Sequence, residues 1–381
     1  MYKLYKEHLL TLHDNNKHRT LNTQERNINF LDFSTNDYLN LSKNNEVINA
    51  AITSAQKYGV GSTGSRLLSG NLPLYEEFEE IIAKDKNTES SLLFSSGFQA
   101  NVTALSSLLD EKVLQAKALV FFDKLNHSSL YQAVFLSKAE LCRYHHCDIQ
   151  HLESLLENYK EDLRPKFIVT ETIFGMDGDI APLKEIVEIA TKYKAFLYLD
   201  EAHATGIFGK NGYGFSTTIQ LDHIPHVVMG TFSKAIGCSG GYIASHKVII
   251  DFLINKATGF VYSTAPSPHV IGAALIAWKM IKSLQNERSH LQNLGNILRA
   301  KLKEYGFDTG ASTTHIIPII LKGEKICLQI QDELLKQKII VSGIRPPTVP
   351  YNSSRLRIAL TSKHQLQDVE RLVNCLKIVI S

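Results

Sequence analysis

The sequence predicts an α/β protein: a large domain built on a mainly parallel sheet covered by helices, with a smaller α/β domain after it. Two observations carry the prediction. Short apolar runs repeatedly end in polar or glycine-bearing turns and pass into helical periodicity, as in "SLLFSSGFQAN", "ALVFFDKLNHSSLYQAV", "KFIVTETIFGMDGDIAPLKEIVEIA" and "AFLYLDEAHATG". Such β-α repetition belongs to parallel strands joined by crossover helices. After the helical stretch "PHVIGAALIAWKMI" the character changes, and the charged helical segment "NERSHLQNLGNILRAKLKEYG" leads into the short strands "HIIPIIL", "KIIVSGI" and "RLRIAL". With about 150 residues per domain, a chain of 381 residues is expected to form two units. Their limits are read as 1–38 for an N-terminal segment packing with the small domain, 39–282 for the large domain and 283–381 for the small C-terminal one.

Along the chain, "EVINAAITSAQKY" reads as helix and "SRLLSGN" as loop. The intervening "GVGSTG" (59–64) matches G-x-G-x-x-G but lacks the preceding strand and following helix that a dinucleotide site requires. "GCSGG" (237–241) matches the nucleophile elbow G-x-S-x-G, yet an elbow leads into a helix, whereas "GYIAS" after Ser239 reads as a strand. In open parallel sheets, ligand groups gather beyond the carboxyl ends of the strands. The strand-turn-helix runs therefore bring Gly97, His127, Asp200, His203 and Lys234 to one edge.

Composition narrows the class. Hydrophobic residues make up 44% and charged residues 21%, and 41 Lys and Arg against 38 Asp and Glu leave +3, an ordinary balance for a soluble enzyme that points to neither nucleic acid nor an anionic membrane. Charges interrupt the N-terminal "MYKLYKEHLLTLHDNNKHR", so it lacks a signal-peptide apolar region, and no run approaches the roughly 18 apolar residues of a membrane span. A cytoplasmic protein is expected. The five cysteines form no C-x-x-C pair, which fits a reducing compartment. "CRYHHCD" packs Cys142, His145, His146 and Cys147 closely, but adjacent ligands on an extended segment point to opposite faces, so no metal site is assigned.

"TFSKAIGCSGG" (231–241) sets one lysine among small residues, a spacing that lets ligands approach its nitrogen. An amine held deprotonated is a nucleophile towards carbonyl compounds, and pyridoxal phosphate is its common aldehyde partner. That cofactor needs a carboxylate for its ring nitrogen, an anion site for its phosphate and a flat group over its ring. Asp200 ends the apolar strand "AFLYL", although an N-cap would explain it as well. "SSGFQAN" puts Ser96, Gly97 and Phe98 at a strand-to-helix turn, where free N–H groups and the helix dipole favour phosphate. His127 follows "VFFDKLN" and can lie flat on a ring, or serve as an ordinary surface or core histidine.

With these residues in hand, the chain resembles the α-oxoamine synthase family of fold-type I pyridoxal-phosphate enzymes. The likeness runs from about "LDFSTNDYLNLS" to the C-terminus and rests on "GSTGSRLLSG", "SSGFQANV", "FGMDGDIAPL", "DEAHATG", "TFSKAIG", "VYSTAP" and "IRPPTVP". The resemblance implies an aspartate aminotransferase-like fold with a seven-stranded, mainly parallel sheet in the large domain. It makes Lys234 the cofactor-bearing lysine and proton-transfer base, Asp200 the partner of the pyridine nitrogen, His203 the donor to the phenolic oxygen and His127 the stacking ring. Gly97, Phe98 and Thr231 would hold the phosphate, with Ser263 and Thr264 arriving from the partner subunit of a homodimer. Arg357, in "RLRIAL", would grip the amino-acid carboxylate as a planar fork, with Asn36 and Arg66 also binding substrate. A surface salt bridge is the plainer reading of Arg357.

"IRPPTVP" favours the biotin branch of the family, which implies L-alanine and a pimeloyl thioester, on coenzyme A or acyl carrier protein, as substrates of a pyridoxal-phosphate-dependent acyltransferase. The alternatives are another family member such as glycine C-acetyltransferase, a non-catalytic cofactor-binding subunit, which would lack the lysine, and a serine hydrolase using Ser239. Two departures stand out. Gly175 occupies the family's serine position in "F-S-M-D-G-D", with Thr172 the neighbouring hydroxyl, and Cys147 occupies the asparagine place of its "HND" turn.

Overall fold

The computed structural model describes residues 1–15, 17–21 and 30–380; of the expected N-terminal segment 1–38, residues 16 and 22–29 lie outside them. Two compact units form. One comprises Asn36–Phe174 and Ile180–Arg288, the other Met1–Thr35, Gly175–Asp179 and Ser289–Ser381. The excursion at 175–179 is invisible to composition. Its cause is a backbone contact: the Gly178 carbonyl accepts from the Thr314 Oγ1 (2.8 Å) and the Thr313 N–H (3.1 Å), and Gly178, at φ +69°, has no room for a Cβ against the Ile316 carbonyl.

In the larger unit a seven-stranded sheet runs in the order Ser90–Phe94, Gly241–Ser245, His226–Thr231, Phe196–Asp200, Lys166–Glu171, Leu119–Asp123, Glu140–Tyr144. All neighbours are parallel except Gly241–Ser245, which is antiparallel to both strands beside it. The inner strands are near-continuous apolar runs because both faces are covered. Alternation along them sorts two cores. Val120, Phe122, Val169, Val227 and Met229 face the helix Gly97–Leu108, whereas Leu119, Phe121, Ile168, Leu197 and Val228 face Leu183–Lys192. The helices start where capping side chains sit: Ser96 accepts from the Gln99 N–H (3.1 Å) and Asp148 from the His151 N–H (2.9 Å). "GVGSTG" follows the end of the helix Asn45–Tyr58, and "GCSGG" joins two strands, so neither has the context its motif needs.

Glu201, directly after Asp200, fixes the strand end. It is fully buried, ion-paired to the equally buried Lys86, and accepts from the Ser216 N–H (2.7 Å) and Oγ (3.0 Å). Burial alone would lower the Lys86 pKa, but the Glu201 carboxylate outweighs it and the net direction is up. Lys86→Met should therefore cost about 3–5 kcal/mol by leaving Glu201 charged and unpaired, read as a lower urea midpoint; an unchanged midpoint would show the pair to be dispensable.

In the other unit, strands Ser342–Ile344, Ser354–Ala359 and Ile316–Lys322 form an antiparallel sheet in that order, and Leu31–Asp32 pairs in parallel with Ile339–Ile340. His315 precedes the strand Ile316–Lys322 and is buried; burial first, then the positive charges of Arg357 and Arg299, push its pKa down to about 3. An unfolded histidine titrates near 6.5, so between these values the unfolded chain binds a proton that the folded chain refuses. Stability is whole above pH 6.5 and falls as pH drops through that window by about 1.4 kcal/mol per unit, levelling off below the folded value. His226 and His364, also lowered chiefly by burial, act in the same direction. Urea unfolding at pH 5 should show about 2 kcal/mol less stability from His315 than at pH 7, a loss that His315→Gln reduces; equal stability at both pH values would contradict it.

Candidate active site

At the carboxyl edge of the seven-stranded sheet lies a cavity of about 260 Å³, lined by Ser96, Gly97, Phe98, Asn101, His127, Ser129, Glu171, Asp200, Ala202, His203, Met229, Thr231, Ser233 and Lys234. Three of these residues end strands: Glu171, Asp200 and Thr231. Asp200 is buried, with Oδ1 accepting from the Ala202 N–H (2.9 Å) and Oδ2 from Asn101 Nδ2 (2.7 Å). The Tyr198 hydroxyl donates to Asn101 Oδ1 (2.9 Å), which turns the amide's NH₂ towards the carboxylate. A carboxylate offers about four acceptor sites, so Asp200 keeps capacity for a further donor.

His127 begins the helix Ser128–Ser137, where its Nδ1 accepts from the Ser129 N–H (3.3 Å) and meets Ser129 Oγ at 2.7 Å. Burial lowers its pKa, with Lys234 adding to the effect and Asp200 opposing it, so the ring is neutral at neutral pH. His203 Nδ1 lies 2.8 Å from the buried Tyr38 hydroxyl, which donates to Asn36 Oδ1 (3.0 Å). Asn36 thus reaches the site through Tyr38 and does not itself line the cavity. Thr231 Oγ1 donates to the Gly240 carbonyl (2.8 Å), and a Cβ on Gly97 would meet Thr231 Cβ at 3.0 Å and Oγ1 at 3.1 Å. The missing side chain lets the start of the helix close on Thr231.

Lys234 lines the cavity, half-buried, on the turn between two strands. Some of the small residues around it serve the chain's own packing. A Cβ on Gly237, at φ +69°, would strike the Ser42 backbone nitrogen, and one on Gly206 would lie 2.5 Å from the Ala235 Cβ. Close packing demands small residues at these two positions.

Other expected residues lie elsewhere. Arg66 is held by Glu79 through two parallel bonds (2.8 and 2.9 Å), donates to Asn71 Oδ1 (2.5 Å) and stacks over the Tyr75 ring. It shares a separate pocket with Ser263 and Thr264, and none of the three lines the Lys234 cavity. Arg357 belongs to the smaller unit. It is buried on the middle strand of the three, which overturns the surface-salt-bridge reading, and its Nε donates to the Gly175 carbonyl (2.5 Å). Thr172 offers no hydroxyl to the cavity: it is buried and bonds the Asp200 carbonyl.

Sequence reasoning missed Tyr38, Asn101, Ser129 and Glu171. A signal existed for Glu171, which ends "KFIVTE" as Asp200 ends its own strand and sits opposite it in register. Burial, reinforced by Asp200 and opposed by Lys234, raises its pKa well above the ordinary carboxylate range. Two adjacent buried carboxyls oppose each other's ionisation, and that repulsion adds to burial in raising Glu171.

A seven-stranded sheet with one antiparallel strand, whose carboxyl edge gathers a lysine, a buried aspartate and two histidines, defines a class of enzymes acting on amine and carbonyl substrates. The family model for aminotransferase class I and II matches residues 28–376, and the chain belongs to that family. Its relatives lie among the α-oxoamine synthases. A Paramagnetospirillum magneticum protein provisionally named 8-amino-7-oxononanoate synthase is 43% identical over 343 residues, spanning 90% of this chain and 86% of that one. The structure of 8-amino-7-oxononanoate synthase from Francisella tularensis superposes with a TM-score of 0.80 at 29% identity, covering 92% of this chain and 98% of that one. A serine palmitoyltransferase structure with pyridoxal phosphate gives a TM-score of 0.85 at 27% identity, covering 92% and 87%. Among the described residues no helix is long and apolar enough to cross a membrane.

Proposed function

We propose that this chain condenses L-alanine with the thioester of a pimeloyl carrier, coenzyme A or acyl carrier protein, releasing thiol and carbon dioxide and forming 8-amino-7-oxononanoate, with pyridoxal phosphate as cofactor. The observation that carries the reading is the cavity joining Lys234, Asp200, His127 and His203, in a chain whose relatives bear that enzyme's name. The residues fit the cofactor. Asp200 has acceptor capacity left after two hydrogen bonds, and Gly97 lets the helix start close on Thr231.

The cofactor supplies an aldehyde that captures amines and a ring that withdraws electrons from the substrate α-carbon. Asp200 would hold the proton on the ring nitrogen. The N–H groups of Gly97 and Phe98 would bind the phosphate, joined by the Thr231 hydroxyl once it turns from the Gly240 carbonyl. His127 lies against the ring face as a neutral imidazole. The Tyr38 hydroxyl, 2.8 Å from His203 Nδ1, fixes the imidazole, whose other nitrogen would meet the phenolic oxygen. Lys234 carries the cofactor at rest, and its amine then takes the α-proton of alanine and returns one at the end. Arg357 binds the amino-acid carboxylate, assisted by Asn36. Ser263 and Thr264, with Arg66 in the same pocket, serve the second subunit of a homodimer in this reading.

The amino-acid half is tested by hydrogen exchange in D₂O, followed by NMR, with pyridoxal phosphate present. L-Alanine should lose its α-hydrogen signal well ahead of glycine or L-serine. Exchange of glycine alone would keep the chemistry and overturn the substrate, and no exchange with any of them would overturn the role of Lys234.

A further inference from the structure

A second group of reactive side chains lies at the carboxyl ends of two neighbouring strands, apart from the residues that line the Lys234 cavity. Asp123 ends the strand Leu119–Asp123 and is buried, while His146 and Cys147 form the turn after Glu140–Tyr144. His146 Nδ1 lies 3.0 Å from Asp123 Oδ1 and 3.2 Å from Oδ2, and the Phe174 ring stands perpendicular to the imidazole with centroids 4.4 Å apart. These contacts fix the ring. Its Nε2 then lies 3.8 Å from Cys147 Sγ, within the reach of a hydrogen bond to sulfur. The Cys147 N–H donates to Asp123 Oδ2 (2.9 Å), so one carboxylate positions both the base and the thiol.

The arrangement is that of an activated nucleophile: a thiol, a base facing it, and a third group holding the base. With Nδ1–H given to the carboxylate, Nε2 carries the lone pair that faces sulfur. Tyr144 is buried on the strand before the turn, and burial first, then the Asp123 charge, pushes its hydroxyl's pKa well up. The other titratable groups at the turn are His145 and His151, whose tilted rings have centroids 4.2 Å apart, and Asp148, whose carboxylate accepts from the His151 N–H (2.9 Å). Burial pushes three other thiols up: Cys142, Cys327 to about 11 and Cys238 to about 12.

We propose that Cys147 is a reversible modification site that reacts with low-molecular-weight disulfides, its thiol activated by His146 and positioned by Asp123. The Sγ proton passes to His146 Nε2 and the thiolate attacks one sulfur of the disulfide. A mixed disulfide forms at Cys147, the original S–S bond breaks, and the departing thiolate takes up the proton. The protein sulfur is oxidised and the departing sulfur reduced, so no further oxidant is needed. The site is independent of the condensation reaction proposed above.

The test uses the holoenzyme, with Ellman's reagent and oxidised glutathione as probes at pH 6.5. One equivalent of thionitrobenzoate should appear about tenfold or more faster than from free cysteine, and peptide mass spectrometry should map both adducts to Cys147. Cys147→Asn should remove the fast phase and still fold, since asparagine tolerates the left-handed φ of +53° at this position. His146→Gln should slow the fast phase about tenfold with the thiol still present. The pH profile of the unaltered protein is a readout that no folding defect can mimic: the fast rate should persist below pH 7. A rate at Cys147 matching free cysteine, a fast phase mapping to Cys375, or no effect of His146→Gln would overturn the proposal.

Discussion

Lys234→Ala is expected to lower the rate of thiol release by about 10⁴-fold or more, because one substitution removes both the amine that holds the cofactor and the base that moves the α-proton. A positioned general base alone contributes about 10²–10⁴-fold, and loss of covalent capture adds to it. The turn survives the change. Its bonds are made by backbone, from the Gly237 N–H to the Lys234 carbonyl (2.8 Å) and from the Cys238 N–H to the Phe232 carbonyl (2.8 Å). The variant should therefore melt with the parent, and activity above a hundredth of the parental rate would contradict the role of Lys234.

Asp200→Asn is expected to cost about 10²–10³-fold in turnover, the scale seen when one preorganised electrostatic partner is removed from an active site. The amide can still accept from the Ala202 N–H, but it cannot hold a proton on a ring nitrogen, and its NH₂ confronts the Asn101 NH₂ that Asp200 now accepts from. Cofactor retention should fall with the rate, measured as pyridoxal phosphate released on dialysis. Full activity in this variant would mean that the aspartate is merely a turn residue. The contrast with Lys86→Met is informative: that change, beside Glu201, should lower stability first, since neither Lys86 nor Glu201 lines the cavity.

The large unit is legible in the sequence because its strands are short apolar runs, each ending where chemistry begins. "AFLYLD", "SSGFQAN" and "TFSKAIG" mark Asp200, Gly97 and Lys234 by position alone, and the cavity brings them together. What escapes depends on contacts distant in sequence. Tyr38 reaches His203 across 165 positions and Asn101 reaches Asp200 across 99, and no local pattern marks such pairs. The glycines near Lys234 suggest ligand access, but the sequence does not show that Gly237 is also pressed on Ser42 and Gly206 on Ala235. Arg66 looks like a substrate group by motif, yet its guanidinium is held by Glu79. In "HHCD", an extended chain would make neighbouring side chains diverge. The turn, with Cys147 at φ +53°, instead brings His146 and Cys147 together over Asp123.

The most direct measurement is free-thiol release from pimeloyl-coenzyme A by purified protein supplied with pyridoxal phosphate and L-alanine, run beside acetyl-coenzyme A with glycine. The account predicts release with the pimeloyl and alanine pair, accompanied by carbon dioxide and 8-amino-7-oxononanoate in equal amount. Release with the acetyl and glycine pair alone would contradict it.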